Sequence, residues 1–184
     1  MHVQSRRDLL WSSLLVTSNV QDLQQTIRRS CPEVFRRAVK ETGCFLYRGE
    51  EEQAGILAPA PDLLLPETYG SEEAARFFQC LDDRLEERKG HIGTATRGDA
   101  AAWGTPVTVW PLGDEFHYVW PKRQQLFYPS KVSCTDLELV VDANLEEALR
   151  SGKEVLFSSS FGLLRQSAFL VVPPGQEESI LDLL

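Results

Sequence analysis

Residues Cys44 to Glu51 read CFLYRGEE. A short apolar run closes on Tyr47 and Arg48, then a glycine, then acids. Coming directly after Gly43, a natural C-cap for the preceding helical stretch, the run predicts a strand with Arg48 at its last step. An arginine there has two uses. Beside three acids it is a solvated edge charge, worth about 0–1 kcal/mol. At a strand end facing a cleft, its planar fork of donors can clamp a phosphate.

Upstream, residues 5–41 read as helix in at least two pieces. The break falls at SCPE, where Pro32 suits the first turn of a new helix, and VFRRAVKETG then runs to Gly43. The start of the chain, SRRDLLWSSLLV, places Leu9, Leu10, Leu14 and Leu15 on one helical face with Trp11 at its edge. Arg6 and Arg7 ahead of Leu9 to Val16 also have the layout of a twin-arginine export signal, although no A-x-A cleavage site follows. Residues 1–24 are therefore set apart as a helical segment or targeting remnant, and residues 25–184 are read as one domain. The compartment is left open: cytoplasmic, or plastid or exported if the arginines are an address.

Downstream, residues 50–70 carry three prolines and two glycines without a steady period and read as a long loop. SEEAARFFQCLDDRLEERKG is the clearest helix, capped by Ser71, with Ala74, Phe77, Phe78, Leu81 and Leu85 as its buried stripe. HIGTAT reads as a short strand. RGDAAAWG reads as a small helical turn that Asp99 is placed to cap. PVTVWPL, FHYVWP, LELVVD, EVLFSSS and SAFLVVP then follow as strands rich in Val, Phe, Tyr and Trp, interrupted by one short helix, NLEEALRSG, capped by Asn144 and closed by Gly152. Helices first and strands crowded into the second half make an α+β pattern.

The totals narrow the function. With 184 residues the chain is long enough for a proper core. Nineteen basic against 27 acidic residues leave a net charge of −8, so the electrostatic footprint of a nucleic-acid binder is missing. The four cysteines, Cys31, Cys44, Cys80 and Cys134, contain no CxxC pair, so no metal site is expected. Their spacing favours no disulfide pairing, and reduced thiols are the expected state. No apolar run approaches the roughly 20 residues that span a bilayer. Ser158 to Ser160 lack a G-x-S-x-G elbow, no G-x-G-x-x-G exists, and His117 reads as a packed rim residue.

Three separated pieces then line up. LYRG carries Arg48 on one strand. IGTATRGDAAAWG carries Thr94 and Thr96 at the end of a second, followed by an alanine-containing turn. SGKEVLF opens a later strand with Glu154. In this order the chain resembles the R–S–E type of mono-ADP-ribosyltransferase over about residues 25–172. The resemblance implies a split sheet around a cleft that binds NAD as substrate, with no metal. It implies Glu154 as the catalytic carboxylate, Arg48 as the pyrophosphate clamp, Thr94 and Thr96 as the hydroxyls that hold strand and glutamate in register, and Trp103 as an aromatic wall for nicotinamide. The chemistry gives each a reason: cleavage of the nicotinamide–ribose bond passes through an oxocarbenium-like state that a carboxylate stabilises. Threonines stand where the family has serines. Gly152 stands where members that modify arginine carry Glu or Gln, so the resemblance does not extend to arginine as the acceptor protein group. The alternative is a non-catalytic structural or interaction subunit of a larger complex, meeting its partner through the N-terminal helix and exposed aromatic β segments.

Overall fold

The computed structural model describes residues 20–51, 55–57, 72, 90–122, 138–160, 167–182 and 184. Helix α1, Val20–Ser30, buries Leu23 and Ile27, and α2, Glu33–Thr42, buries Phe35, Ala38 and Val39. These are the i, i+3, i+4 stripes of amphipathic helices. Pro32 separates them as expected, because it has no N–H to continue the α1 ladder. Gly43 ends α2 in the left-handed conformation at φ 64°, its N–H bonded to the Val39 carbonyl at 2.8 Å.

The strands follow in the order β1 Tyr47–Glu50, β2 Gly55–Leu57, β3 His91–Thr94, β4 Thr105–Leu112, β5 Glu115–Pro121, β6 Leu139–Val141, β7 Glu154–Ser160 and β8 Ala168–Val172. Between them lie α3, Arg97–Ala100, and α4, Leu145–Arg150, and after β8 comes α5, Glu177–Leu181. The α+β class holds: among the described residues there are five helices and one eight-stranded sheet, every pairing antiparallel. Arg48 is the second residue of β1 rather than its last, because β1 pairs with β4 through Glu50 opposite Thr105. β2 lies within the stretch expected to be loop. Neither expected side-chain cap forms: no side chain caps α3 or α4, and Asp99 sits inside α3 instead. The helix expected over residues 71–89, the leucine face of residues 9–15, Cys80 and Cys134 lie outside the described residues, apart from Glu72.

The strand order is β2-β8-β4-β1-β3-β7-β5-β6. β1 and β3 share a single residue pair, Tyr47 opposite Thr94, whereas every other neighbouring pair shares three to five. The sheet is therefore two half-sheets joined at one point. The halves also meet ring to ring, Phe157 of β7 edge-on to Phe169 of β8 at 6.0 Å, and through the Ser159 hydroxyl, which donates to the Ala168 carbonyl at 2.9 Å. Every residue of β8 is buried, and only Ser160 of β7 is not. Strands buried on both faces show no in–out alternation in their sequence, which is why their facing could not be read in advance.

The buried indoles are satisfied: Trp110 donates to the Thr108 hydroxyl and Trp120 to the Ala143 carbonyl. Cys31 and Cys44 are free thiols. Burial pushes the Cys31 thiol well above its ordinary range, with Arg36 opposing. No helix among the described residues is long and apolar enough to cross a membrane.

Candidate functional site

The strands that carry Arg48, Thr94 and Glu154 are consecutive neighbours in the sheet, β1-β3-β7. Thr94 sits directly opposite Tyr47 on one side and directly opposite Glu154 on the other. Residues paired across an antiparallel ladder share a face, so Tyr47, Thr94 and Glu154 point to one side of the sheet. Arg48, the next residue along β1, points to the other. The expected convergence of Arg48 and Glu154 is thus a convergence of strands and not of side chains.

Thr94 is fully buried and Glu154 is 1% exposed. The Thr94 hydroxyl accepts the Thr96 N–H at 3.1 Å, and the Thr96 hydroxyl donates to the Gly152 carbonyl at 3.4 Å. Together with the Ala95 N–H bonded to the Lys153 carbonyl at 3.0 Å, these contacts tie the β3–α3 turn to the α4–β7 turn just ahead of Glu154. Gly152 has φ +66°, and an added Cβ would lie 3.0 Å from the Thr96 hydroxyl. The turn asks for glycine there on backbone grounds.

Arg48 lies where β1 and β3 part. Its Nη1 donates to the Ile92 carbonyl at 2.7 Å, spanning the gap that backbone pairing leaves open, and its Nε pairs with Glu50 Oε1 at 2.6 Å. The guanidinium carbon stands 5.2 Å from the centroid of the Phe169 ring, in cation–π contact. Its side chain is 22% exposed. Trp103, at 60% exposed, stands in the turn after α3. That turn is pressed onto β1 at Gly49, where an added Cβ would lie within 2.6 Å of backbone atoms of Ala100, Trp103 and Gly104.

Three residues at this seam carry no expectation from the sequence. Tyr47 shares the face of Thr94 and Glu154. Burial raises its phenol above the ordinary range, Glu177 of α5 adds to the shift, and Arg97 opposes it. Glu50 is the ion-pair partner of Arg48. His91, 5% exposed, lies edge-on to Phe157 at 5.6 Å and to Phe169 at 5.0 Å. The signal for Tyr47 was available: strand alternation through Leu46, Tyr47 and Arg48 already separates the tyrosine from the arginine.

The other candidates stay apart. His117 Nδ1 lies 2.9 Å from Asp142 Oδ2, while Asp142 Oδ1 accepts the Tyr118 N–H at 2.7 Å. Ser158 is directly opposite His117, and its hydroxyl is buried and makes no hydrogen bond among the described residues, to the imidazole or to anything else. Among the described residues no group of three His, Cys, Asp or Glu side chains is arranged to hold a metal ion.

No family model, no curated protein and no solved structure matches this chain.

Proposed function

We propose that the chain is an ADP-ribosyltransferase-like domain that binds NAD astride the β1–β3 seam and cleaves its nicotinamide–ribose bond. The observation that carries this reading is the order β1-β3-β7 with Thr94 directly opposite Glu154, beside a seam that Arg48 bridges. On this reading the ligand lies across the seam. The pyrophosphate meets Arg48 on one side of β1, and the ribose meets Glu154 and Thr94 on the other. Glu154 faces the anomeric carbon as positive charge develops there, nicotinamide leaves as the neutral base, and a water or a protein acceptor takes its place. Because Glu154 is almost fully buried, the seam has to widen on binding. Gly152 leaves no acidic side chain two residues ahead of Glu154, and this speaks against arginine as the acceptor.

Glu154→Gln keeps size and hydrogen bonding but removes the charge. It is expected to lower nicotinamide release by about 10²–10³-fold while leaving NAD affinity nearly unchanged. Arg48→Lys keeps the charge but loses the fork, and is expected to weaken NAD binding instead. Calorimetric NAD titration beside nicotinamide release, on wild type and both variants, reads the two effects apart.

A second reading has its own support. Arg48 is already committed to Glu50 and the Ile92 carbonyl, and Trp103 and Val141 are exposed apolar side chains. A non-catalytic interaction subunit uses the seam as structure and the exposed residues as contacts. Wild type that neither binds NAD at millimolar concentration nor releases nicotinamide decides for it.

A further inference from the structure

His91 opens β3 on the same side of the sheet as Arg48, since Thr94, three residues on, faces away with Tyr47. The two groups touch one ring: the imidazole is edge-on to Phe169 at 5.0 Å, and the guanidinium carbon is 5.2 Å from its centroid. Neither ring nitrogen of His91 has a hydrogen-bond partner among the described residues, although the side chain is almost wholly buried. Burial first and the nearby Arg48 charge second bring its pKa down to about 3, with the Ser167 backbone opposing them. The imidazole is therefore neutral, and the Ser167 backbone beside it makes no well-formed hydrogen bond to either ring nitrogen. An orphaned polar ring in such a place costs desolvation free energy without return, unless a ligand supplies the partner. Arg48 differs in being partly open: Glu50 takes its Nε and the Ile92 carbonyl its Nη1, and its side chain is 22% exposed.

We propose that Arg48 and His91 are the two donors of a phosphate-binding site inside the split between β1 and β3, taking the pyrophosphate of a dinucleotide. The inference rests on the reading of Arg48 as the anion-binding group and adds His91 to it. An anion oxygen here accepts from the Arg48 guanidinium and from the His91 N–H, in surroundings walled by Phe157 and Phe169 that strengthen both bonds. Glu50 holds the guanidinium in plane, so the fork is oriented before the ligand arrives.

The test is calorimetric titration of wild type, His91→Phe, His91→Asn and Arg48→Lys with two probes, inorganic pyrophosphate and NAD. Phe fits among the neighbouring phenylalanines and removes the orphaned nitrogens, so His91→Phe is expected to fold at least as stably as wild type. Its affinity for both probes is expected to fall about tenfold, the worth of one hydrogen bond to a charged group. His91→Asn, which keeps an N–H donor, is expected to retain more of the affinity than His91→Phe. Arg48→Lys is expected to weaken both probes as well. Wild type that binds pyrophosphate but not NAD keeps this site and removes the NAD reading. Affinity unchanged in His91→Phe, with Arg48→Lys weakened, overturns the role of His91 and leaves the reading of Arg48 standing. Wild type that binds neither probe overturns both.

Discussion

At the scale of single residues, His91 carries a pH dependence that can be measured without any ligand. Unfolded, its imidazole titrates near the ordinary value of about 6.5. Folded, it titrates near 3, because burial and the Arg48 charge both penalise the imidazolium. Between these values the unfolded chain binds a proton that the folded chain refuses. The stability in question is complete above about pH 6.5 and is lost as pH falls toward 3. The slope from this one group approaches about 1.4 kcal/mol per pH unit. Other acids titrate over the same range, so the useful quantity is the difference between wild type and His91→Phe, by urea unfolding from pH 7 to pH 4. The gap between the two curves is expected to widen steadily below pH 6.5. Parallel curves would show the imidazole taking up its proton in the folded state. At this scale the sequence misleads by adjacency. Tyr47 and Arg48 are neighbours in the chain, and for that reason they are separated by the sheet; the residue that joins Thr94 and Glu154 on one face is the tyrosine.

At the scale of elements, the close approach of the turn after α3 to β1 makes Gly49 the most demanding position at the seam. Gly49→Ala drives a methyl group into backbone atoms of Ala100, Trp103 and Gly104, none of which is a flexible side-chain end. We expect a loss of about 2–3 kcal/mol by urea unfolding, the cost of overpacking against fixed atoms. Less than half a kcal/mol would mean that the turn is free to lift from the strand. Much at this scale was legible. Pro32 and Gly43 bound α2, the Thr-x-Thr ends β3, and the Val- and aromatic-rich runs give β4 to β8, because steric and hydrogen-bonding limits act locally on those residues. β2 was not legible: Gly55–Leu57 has too few residues to show a period and is a strand only because β8 lies beside it. Nor were the absent caps of α3 and α4. The Thr94 hydroxyl takes the Thr96 N–H at the start of α3, and Asn144 occupies the cap position of α4 at φ 55°, with no cap bond from its side chain.

At the scale of the whole molecule, the pairing order departs most from the chain order. β4 and β5 are joined by the short turn at Gly113 and Asp114, yet they lie in different half-sheets and do not pair with each other. A half-sheet therefore cannot be cut out as a continuous piece of chain, which is the reason strand neighbours were not deducible from the run of elements. A chain stopped after Ser160 keeps seven of the eight strands, yet it leaves both β2 and β4 without the partner that lies between them. We expect it to show no cooperative thermal transition by circular dichroism; a sharp transition near that of the full chain would mean that β8 is dispensable. The same arrangement orders events in time. β2 is made early, and β8, which sits between it and β4, is made last of the eight strands among the described residues. On the ribosome, β2 therefore has no sheet neighbour until β8 emerges, and β4 keeps one side bare until then. During that interval their exposed backbone edges are open to the wrong strand or to another nascent chain. The cell's demand on this protein thus falls on holding an unfinished edge, and a slow stretch of translation just before Ala168 would lengthen that exposure rather than help folding.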